Sequence, residues 1–492
     1  MRNSVASYFV LSGLWILASS QQVTLQLPGL GFLQGTLNYT AWSLRTVYQF
    51  QGIPFAKPPL GDLRFKPPEP SGPWHGALDA SKFRRKCPVM QRSHQETDKK
   101  EWARLLNDTD IEDCLHLNVY TTKLGIQNNS LPVMVYFHGG SFRVGSAQEF
   151  WPTFLLERDV VLVVPQYRLG PLGLFTQVIA QSGSALGTWV MDENPLRSAR
   201  SIAKLANCTQ EDVQDLTDCL KNISAQQLLV AHSNFLIEDL LAGGRGTGGN
   251  HPVIQTAGSQ KFLVEPPLKS IHEGRFIHVP LMGGVTRHEG SFIVGSIEDP
   301  TGMVADILNE RYFKPGQLGD FKAMTPGLID ICGVALLKAA TYRSVLENSR
   351  HEPSFLYSFN YYGEHTKFGY GEDVDYPFPG GVSHSDDLIY LFPQPGLVFN
   401  DKDREISQMM VELWTNFATY GKPAPAMGVP HWPPMGTETG PYLRIEREST
   451  VRENFIDEYT IAVTGGLGPH TSIAPTTSVT ILLLLVTIIP IL

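Results

Sequence analysis

A His-Gly-Gly-Ser-Phe pentapeptide, residues 138–142, directly follows a segment rich in valine. Consecutive glycines allow backbone N–H groups to point into a cavity, where they can stabilise negative charge that develops on an oxygen atom. Gly139, Gly140 and Ser141 are therefore candidates for an oxyanion hole. The alternative is an ordinary turn between a strand and a loop, and the pentapeptide by itself fits both interpretations.

An oxyanion hole stabilises the charge that develops when a nucleophile attacks the substrate. In one common arrangement this nucleophile is a serine at the centre of a G-x-S-x-G turn between a strand and a helix. No serine in the 492 residues has glycine both two positions before it and two positions after it. Ser141, Ser182 and Ser184 lie near glycines, but a serine hydroxyl is a weak nucleophile unless a base is aligned on it. We expect these three to be ordinary polar loop residues.

Apolar runs bounded by glycine and proline predict the strands that would position these residues. The predicted strands cover residues 47–50, 131–137, 159–165, 178–180, 277–285 and 355–359, and the predicted helices cover 197–206, 211–220 and 409–420. Strands that alternate with helices are typical of a doubly wound, mostly parallel α/β sheet. No polar linker and no internal repeat interrupts residues 21–465, so we expect one large domain there.

Eight short motifs follow one another in a recognisable order. They are GIPFA (52–56), EDCLHLNVY (112–120), HGGSF (138–142), YRLGPLG (167–173), AQSGS (180–184), GVTRHEG (284–290), GVSHSDDL (381–388) and WTNF (414–417). With these motifs, residues 33–443 resemble the type-B carboxylesterase and cholinesterase family. The resemblance implies an α/β-hydrolase fold and a small-molecule ester as the substrate, without a cofactor.

The resemblance also implies a catalytic triad of Ser, Glu and His, in that order along the chain. The glutamate of the family matches Glu289, and the histidine matches His384. In such a triad the histidine takes the serine proton, while the acid orients the imidazole and stabilises its charged form. The resemblance further implies a structural ion pair between Arg64 and Glu112.

The serine of the family is missing together with the segment that carries it. In the family, a long block with a helix, a strand, the serine turn and a second helix separates the YRLGPLG and AQSGS motifs. Here the motifs almost touch, which predicts an internal truncation near 170–178 and the loss of a central strand between 162–164 and 178–180. About ten residues are also too few for a crossover between parallel strands. We therefore expect an inactive chain.

The sequence is compatible with three interpretations. The chain could be a version of an active carboxylesterase that lacks one block of sequence, because Glu289 and His384 are intact. It could instead be a non-catalytic adhesion or ligand-binding protein with an extracellular protein partner. The third is a chain without function, because apolar surface exposed at about 25 cal/mol per Å² competes with a total stability of about 5–15 kcal/mol.

Both ends of the chain carry targeting patterns. Residues 1–20 combine a basic start, an apolar run and small residues before Gln21, which predicts a signal peptide rather than a membrane helix. Small residues at 464–466, a mostly uncharged spacer and an apolar run at 480–492 predict a glycosylphosphatidylinositol (GPI) signal over 466–492, with the attachment residue near Gly465 or Gly466 and Gly465 as the first choice. A short tail anchor or a run without function are the alternatives. We expect a secreted protein held at the cell surface.

Cysteines and glycosylation sequons agree with that route. In an oxidising compartment, two disulfides and one free thiol are the natural count for five cysteines. Local pairing favours Cys87 with Cys114 and Cys208 with Cys219, the pairs that the family resemblance also implies, and leaves Cys332 as a buried thiol. The sequons begin at Asn38, Asn107, Asn128, Asn207 and Asn222.

The formal net charge of −9 disfavours a nucleic-acid partner, which would need a clustered basic face. No metal site is predicted.

Overall fold

The computed structural model describes residues 22–88, 111–125, 130–142, 144–167, 177–241, 249, 251–256, 261–294, 312–314, 316–317, 319–368 and 378–468. The predicted signal peptide, the junction at 168–176, the sequons at Asn107 and Asn128, and the apolar run at 480–492 lie outside the described residues.

The N-terminal part of the chain forms a seven-stranded sheet. Its strands are β1 (Gln22–Leu27), β2 (Gly31–Tyr39), β3 (Thr46–Pro54), β4 (Ala77–Asp79), β5 (His116–Thr121), β6 (Val133–Val135) and β7 (Val161–Pro165). They lie in the order β1-β2-β3-β5-β7-β6, and β4 pairs with β2. The pairs along this order are antiparallel except the last, because β6 and β7 run parallel.

A second sheet of five strands follows. Its strands are β8 (Val178–Gln181), β9 (Leu281–Thr286), β10 (Ser354–Phe359), β11 (Tyr442–Ile445) and β12 (Thr450–Arg452). They lie in the order β12-β11-β10-β9-β8, and the four strands from β8 to β11 are parallel. Every residue of β9 and β10 is buried, as expected for parallel strands covered on both faces.

Helices fill the connections. They are α1 (Pro195–Leu205), α2 (Val213–Asn222), α3 (Ala225–Leu241), α4 (Pro267–His272), α5 (Ser291–Val294), α6 (Phe321–Gly333), α7 (Ala339–Ser349), α8 (Asp386–Ile389), α9 (Asp401–Tyr420) and α10 (Ile461–Gly465). The predicted helix at 409–420 begins earlier, at Asp401, because the Asn400 side chain caps its N-terminus. The predicted strand at 277–285 begins only after Pro280, which has no N–H for the ladder.

The sheet is interrupted where the sequence predicts a missing strand. β6 ends the first sheet and β8 ends the second, and within the described residues no strand pairs with either outer edge. The structure thus has the predicted α/β class, and the loss of a central strand between these edges stays a prediction. One detail differs from the prediction: the strand beside the gap is β6 rather than β7, because β7 lies between β5 and β6.

A shared apolar core spans the interruption. Leu162 of the first sheet and Met282 and Phe355 of the second belong to one buried cluster, which Trp414 of α9 completes. The face of β6 is poorly covered in contrast, since Val133 is 60% exposed and Val135 is 41% exposed. The apolar surface predicted from the missing block therefore lies on the edge strand of the first sheet.

Two disulfides and one ion pair stabilise the loops around the sheets. The disulfides join Cys87 to Cys114 and Cys208 to Cys219, which confirms the predicted pairs, and Cys332 is a buried free thiol. Burial raises the pKa of the Cys332 thiol to about 11, so it remains protonated and unreactive at neutral pH.

The predicted ion pair of Arg64 and Glu112 is present. Arg64 Nε donates to Glu112 Oε1 at 2.9 Å, and the same guanidinium donates to the carbonyl oxygens of Leu220, Lys221 and Ile223 at 3.2, 3.2 and 2.7 Å. The arginine therefore connects the Cys87–Cys114 loop to the end of α2, which the other disulfide closes.

One helical run, Phe321–Ser349, is long and apolar enough to cross a membrane by length and composition among the residues described. Because 61% of its most apolar window is buried within the protein, we interpret it as a core helix. It comprises α6, a π-helical turn at Val334–Lys338 and α7.

A matched pair of valines tests the exposure of β6. Val133 is 60% exposed, whereas Val164 of the adjacent β7 is fully buried. We expect Val133→Thr to change the free energy of unfolding by less than about 0.5 kcal/mol, and Val164→Thr to lower it by about 1–3 kcal/mol because it buries a hydroxyl without a partner. Chemical denaturation of both variants measures this. Equal losses would contradict the exposed face of β6.

Candidate active site

Glu289 lies just after β9, at the carboxyl end of the second sheet, where ligand sites of parallel sheets form. Its side chain is fully buried. One carboxylate oxygen, Oε1, accepts a hydrogen bond of 2.7 Å from the backbone N–H of Thr286 and another from the Ser182 hydroxyl. The second oxygen, Oε2, is thereby aimed at a different partner.

That partner is His384, whose Nδ1 lies 2.6 Å from Glu289 Oε2. Since the carboxylate accepts, Nδ1 carries a proton, and in the neutral ring the lone pair lies on Nε2. Within the described residues no hydrogen bond occupies Nε2. The structure thus brings together the two residues predicted as acid and base, in the orientation that leaves Nε2 able to take a proton.

The loop that carries His384 is held against the Glu289 loop by backbone contacts. His288 N–H donates to the Val382 carbonyl, and Val382 N–H donates to His288 Nδ1, each at 2.8 Å. Gly381 permits this approach because it adopts φ +65° and a Cβ there would lie only 2.2 Å from His288 Nδ1. Proximity of the two predicted residues therefore follows from a glycine that the GVSHSDDL motif supplies.

The electrostatics of the pair favour its charged form. Burial by itself would lower the pKa of His384, but the Glu289 carboxylate outweighs burial and raises it. Burial would likewise raise the pKa of Glu289, but charged His384 and hydrogen bonds from His384, Ser182 and Thr286 lower it. An acid with a lowered pKa beside a histidine with a raised pKa can stabilise an imidazolium that forms during proton transfer.

The Ser182 hydroxyl hydrogen-bonds to Glu289, the predicted acid, and not to His384, the predicted base. Ser182 follows β8, and its hydroxyl donates to Glu289 Oε1, while its backbone N–H donates to the Gly284 carbonyl at 2.8 Å. Ser184 forms a hydroxyl contact of 2.7 Å with Ser344. Neither hydroxyl hydrogen-bonds to His384 among the described contacts, so the structure aligns no base on them.

The buried carboxylate of Asp387 stabilises the loop that carries His384. Asp387 Oδ2 accepts hydrogen bonds from Gln181 Nε2 at 2.9 Å and from the Tyr357 hydroxyl at 3.2 Å. Burial raises the pKa of Asp387. These contacts connect the end of β8 and the middle of β10 to the histidine loop, and sequence patterns contain no signal for them because the residues are far apart in the chain.

Asp386 fixes the backbone of the same loop. Its Oδ2 accepts from Ser383 N–H at 2.8 Å, and its carboxylate also accepts from the Thr366 hydroxyl. Burial raises its pKa to about 7. His384 is therefore held between two supported neighbours, Ser383 and Asp386.

The predicted oxyanion segment follows the edge strand β6. Gly140 adopts φ +116°, and a Cβ there would lie 2.0 Å from the Val144 carbonyl oxygen. Ser141 and Phe142 also adopt positive φ, at 51° and 56°, which strains residues that carry a side chain. No described hydrogen bond links this segment to Glu289 or His384. Its role as an oxyanion hole stays a prediction.

The described residues offer one group of side chains with metal-ligand spacing, Glu364, His365 and Asp403. Asp403 accepts from the Tyr361 hydroxyl at 2.9 Å, and His365 Nε2 contacts the Val398 carbonyl at 3.0 Å. These hydrogen bonds explain the buried Asp403 carboxylate without an ion.

Comparison with known proteins decides the family. The model of the carboxylesterase family matches this chain over residues 19–177 and 173–461. The chain belongs to the carboxylesterase family. The two matched segments overlap at residues 173–177, within the stretch where the sequence predicts the truncation, and the fold is that of the α/β hydrolases.

Individual relatives match most of this carboxylesterase-family chain. Juvenile hormone esterase of Tribolium castaneum is 29% identical over 506 aligned positions, which cover 80% of this chain and 83% of the relative. Glutactin of Drosophila melanogaster is 27% identical over 87% of this chain but only 50% of the relative. Acylcarnitine hydrolase of Mus musculus is 25% identical, with 86% and 87% covered.

The charge on Glu289 is the quantity that a substitution can test. Glu289→Gln keeps the shape and the burial but removes the charge, so we expect the pKa of His384 to fall. NMR titration of ¹³C-labelled histidine measures it. Glu112→Gln, in the separate ion pair with Arg64, is the control and leaves the His384 pKa unchanged. An unaltered pKa in Glu289→Gln would contradict the proposed electrostatics.

The same pair predicts a dependence of stability on pH. Because the folded pKa of His384 is raised above 6.5, its contribution is complete below that pH and is lost as pH rises through the raised value. The lowered pKa of Glu289 acts in the opposite direction, and its contribution is lost only as pH falls through that lowered value. The difference in unfolding free energy between wild type and His384→Gln should therefore narrow above about pH 6.5.

Proposed function

We propose that this chain is a carboxylesterase-family protein that keeps the acid and base of the catalytic triad but lacks the nucleophile, so that it does not hydrolyse carboxylic esters through an acyl-enzyme. The contact between Glu289 and His384 carries this proposal. It positions Nε2 of the histidine to deprotonate a serine hydroxyl, and no serine in the sequence stands in the G-x-S-x-G turn that would present one.

Three observations support the loss of one block rather than of one residue. The family model matches in two separate segments, which overlap at residues 173–177. The 80% of this chain that aligns with juvenile hormone esterase is about 394 residues spread over 506 positions, so about 110 positions have no residue from this chain. The sheet is interrupted between β6 and β8, the edges that a further strand would join.

Ser182 and Ser184 do not replace the missing nucleophile in this proposal. The Ser182 hydroxyl donates to Glu289, and a serine that is hydrogen-bonded to the acid cannot at the same time donate to His384 Nε2. A substitute would have to leave Glu289 and reach the other side of the imidazole ring. The geometry therefore favours an inactive chain over one with a relocated nucleophile.

The preserved acid and base also favour a recent origin from an active esterase over an adhesion or ligand-binding protein. Glu289 is fully buried, and its carboxylate needs Thr286, Ser182 and His384 as partners. An adhesion protein would use its outer surface and would have no need to maintain an oriented imidazole inside. A small-molecule ester is accordingly the substrate class of the complete form.

We place the protein outside the cell, on the membrane. The two disulfides fit an oxidising compartment. Asn207 and Asn222 are exposed and so accessible to glycosylation, whereas Asn38 is half-buried. The small residues at 464–466, the spacer and the apolar run at 480–492 support a GPI anchor as the attachment to the membrane.

An activity-based probe tests the loss of the nucleophile. We expect a fluorophosphonate, which labels activated serines, to leave the purified chain unlabelled under conditions that label an active carboxylesterase. Ester hydrolysis should equal that of the His384→Gln variant, because loss of the serine costs on the order of a millionfold in a serine-hydrolase triad. Labelling that disappears in Ser182→Ala would contradict the proposal and identify a substitute.

The transcript provides the second test. If the chain derives from an active esterase, sequencing across codons 165–185 should find a second form with an inserted block that encodes G-x-S-x-G. That form should label with the fluorophosphonate, and its His384→Gln variant should not. A single uninterrupted form in every tissue would instead favour the non-catalytic alternative.

A further inference from the structure

The loop of Glu289 binds the backbone near the end of the described chain. Arg287, two residues before Glu289, donates from Nη2 to the carbonyl oxygens of Gly465 and Gly466, at 3.1 Å each. Nη1 of the same guanidinium makes a longer contact of 3.4 Å with the Gly468 carbonyl oxygen. The residues just after α10 are therefore part of the folded protein rather than a free tail.

The buried guanidinium of Arg287 depends on these carbonyl oxygens as hydrogen-bond acceptors. Its side chain is fully buried, and its Nε has no hydrogen-bond partner within the described residues. Burial and the nearby Arg444 lower its pKa to about 10, so it remains charged at neutral pH. A buried guanidinium with few acceptors loses much if one of them is removed.

His288 binds the same segment from a fixed tautomer. Its Nδ1 accepts from Val382 N–H at 2.8 Å, so in the neutral ring the proton lies on Nε2. Nε2 in turn lies 3.2 Å from the Gly466 carbonyl oxygen, to which it donates. The Gly466 carbonyl thus accepts from both Arg287 and His288, while the Gly465 carbonyl accepts from Arg287.

We propose that Gly466, and not Gly465, is the residue that receives the GPI anchor, and that its carbonyl remains bound to Arg287 and His288 in the anchored protein. This inference rests on the anchor in the proposed function. In the reaction, the amine of an ethanolamine phosphate on the glycolipid attacks the Gly466 carbonyl carbon. The Gly466–Leu467 peptide bond breaks, a new amide forms, and residues 467–492 leave with the proton and the free amine of Leu467.

The chemistry of that exchange separates the candidate residues. The carbonyl oxygen of the attachment residue survives as an amide oxygen, and everything after it is removed. Attachment at Gly466 keeps the 3.1 Å and 3.2 Å contacts and removes only the longer Gly468 contact and the half-buried Leu467. Attachment at Gly465 would remove the acceptor that Arg287 and His288 share, and attachment at Thr464 would remove both short acceptors.

The sequence alone does not make this choice. Small residues are required at the attachment position and the two that follow, which Thr464 satisfies best, while Gly465 and Gly466 each have Leu467 within their triplet. Gly468 is a poor candidate for the attachment residue, because the residue after it, Pro469, is not small and has no backbone N–H. The small-residue pattern by itself favours Thr464, so the buried donors of Arg287 and His288 are what favours Gly466 instead.

The full chain expressed in animal cells tests the proposal without any substitution. Phosphatidylinositol-specific phospholipase C releases the anchored protein, and trypsin leaves a C-terminal peptide that begins at Glu453. We expect mass spectrometry to find this peptide ending at Gly466 with the ethanolamine phosphate glycan attached. A peptide ending at Thr464 or Gly465 would overturn the inference while the anchor stands. A chain that retains residues 467–492 would refute the anchor itself.

A matched pair of variants gives an independent measurement at the cell surface. Gly466→Val places a large residue at the proposed attachment position and should abolish phospholipase-releasable protein, whereas Gly465→Val should retain it. The reverse pattern would overturn the inference. The terminal peptide of the wild type does not depend on how either variant folds, so it decides the case if both variants fail to leave the cell.

Discussion

A buried carboxylate needs partners, and the carboxylate of Glu289 finds them in three separate segments of the chain. Ser182 comes from the end of β8, Thr286 from the end of β9, and His384 from the loop before α8. Leaving any of these contacts unmade would cost part of the desolvation free energy of a fully buried charge. The need to satisfy Glu289 therefore brings the acid, the base and the end of β8 to one point.

A second group of buried ionisable side chains, Lys338, Glu458 and Asp330, stabilises the loop that carries Glu289. The Lys338 ammonium, at the end of the π-helical turn, donates to the carbonyl oxygens of Arg287 and Glu458 at 2.8 and 2.6 Å. The Glu458 carboxylate accepts from the Tyr442 hydroxyl at 2.9 Å, and the Asp330 carboxylate accepts from the backbone N–H groups at the start of α10. The loop that carries Glu289 is thus connected to the core helix, Phe321–Ser349, and to the end of the described chain.

The interruption of the sheet leaves these contacts intact because they belong almost entirely to the second sheet. Glu289, His384, Arg287 and Lys338 are all positioned by β9, β10 and the helices beside them. The glycine segment of residues 138–142 instead follows β6, the last strand of the first sheet among the described residues. The contacts that join Glu289 and His384 are intact, while the glycine segment adjoins an exposed apolar face and an edge that no strand pairs among the described residues.

Short-range chemistry and ordered motifs let the sequence by itself determine much of this protein. The absence of a G-x-S-x-G turn is a property of adjacent residues, and so are the buried strands and the sequons. The family motifs identified Glu289 and His384, the Arg64–Glu112 pair and both disulfides, since each motif keeps its local spacing. The tertiary structure alone decided the long-range contacts: the Ser182 hydroxyl on Glu289, Asp387 with Gln181 and Tyr357, the position of β6 at the gap, and the carbonyls that Arg287 and His288 bind. These contacts depend on which buried donors and acceptors meet when distant segments fold together, and no local pattern encodes that meeting.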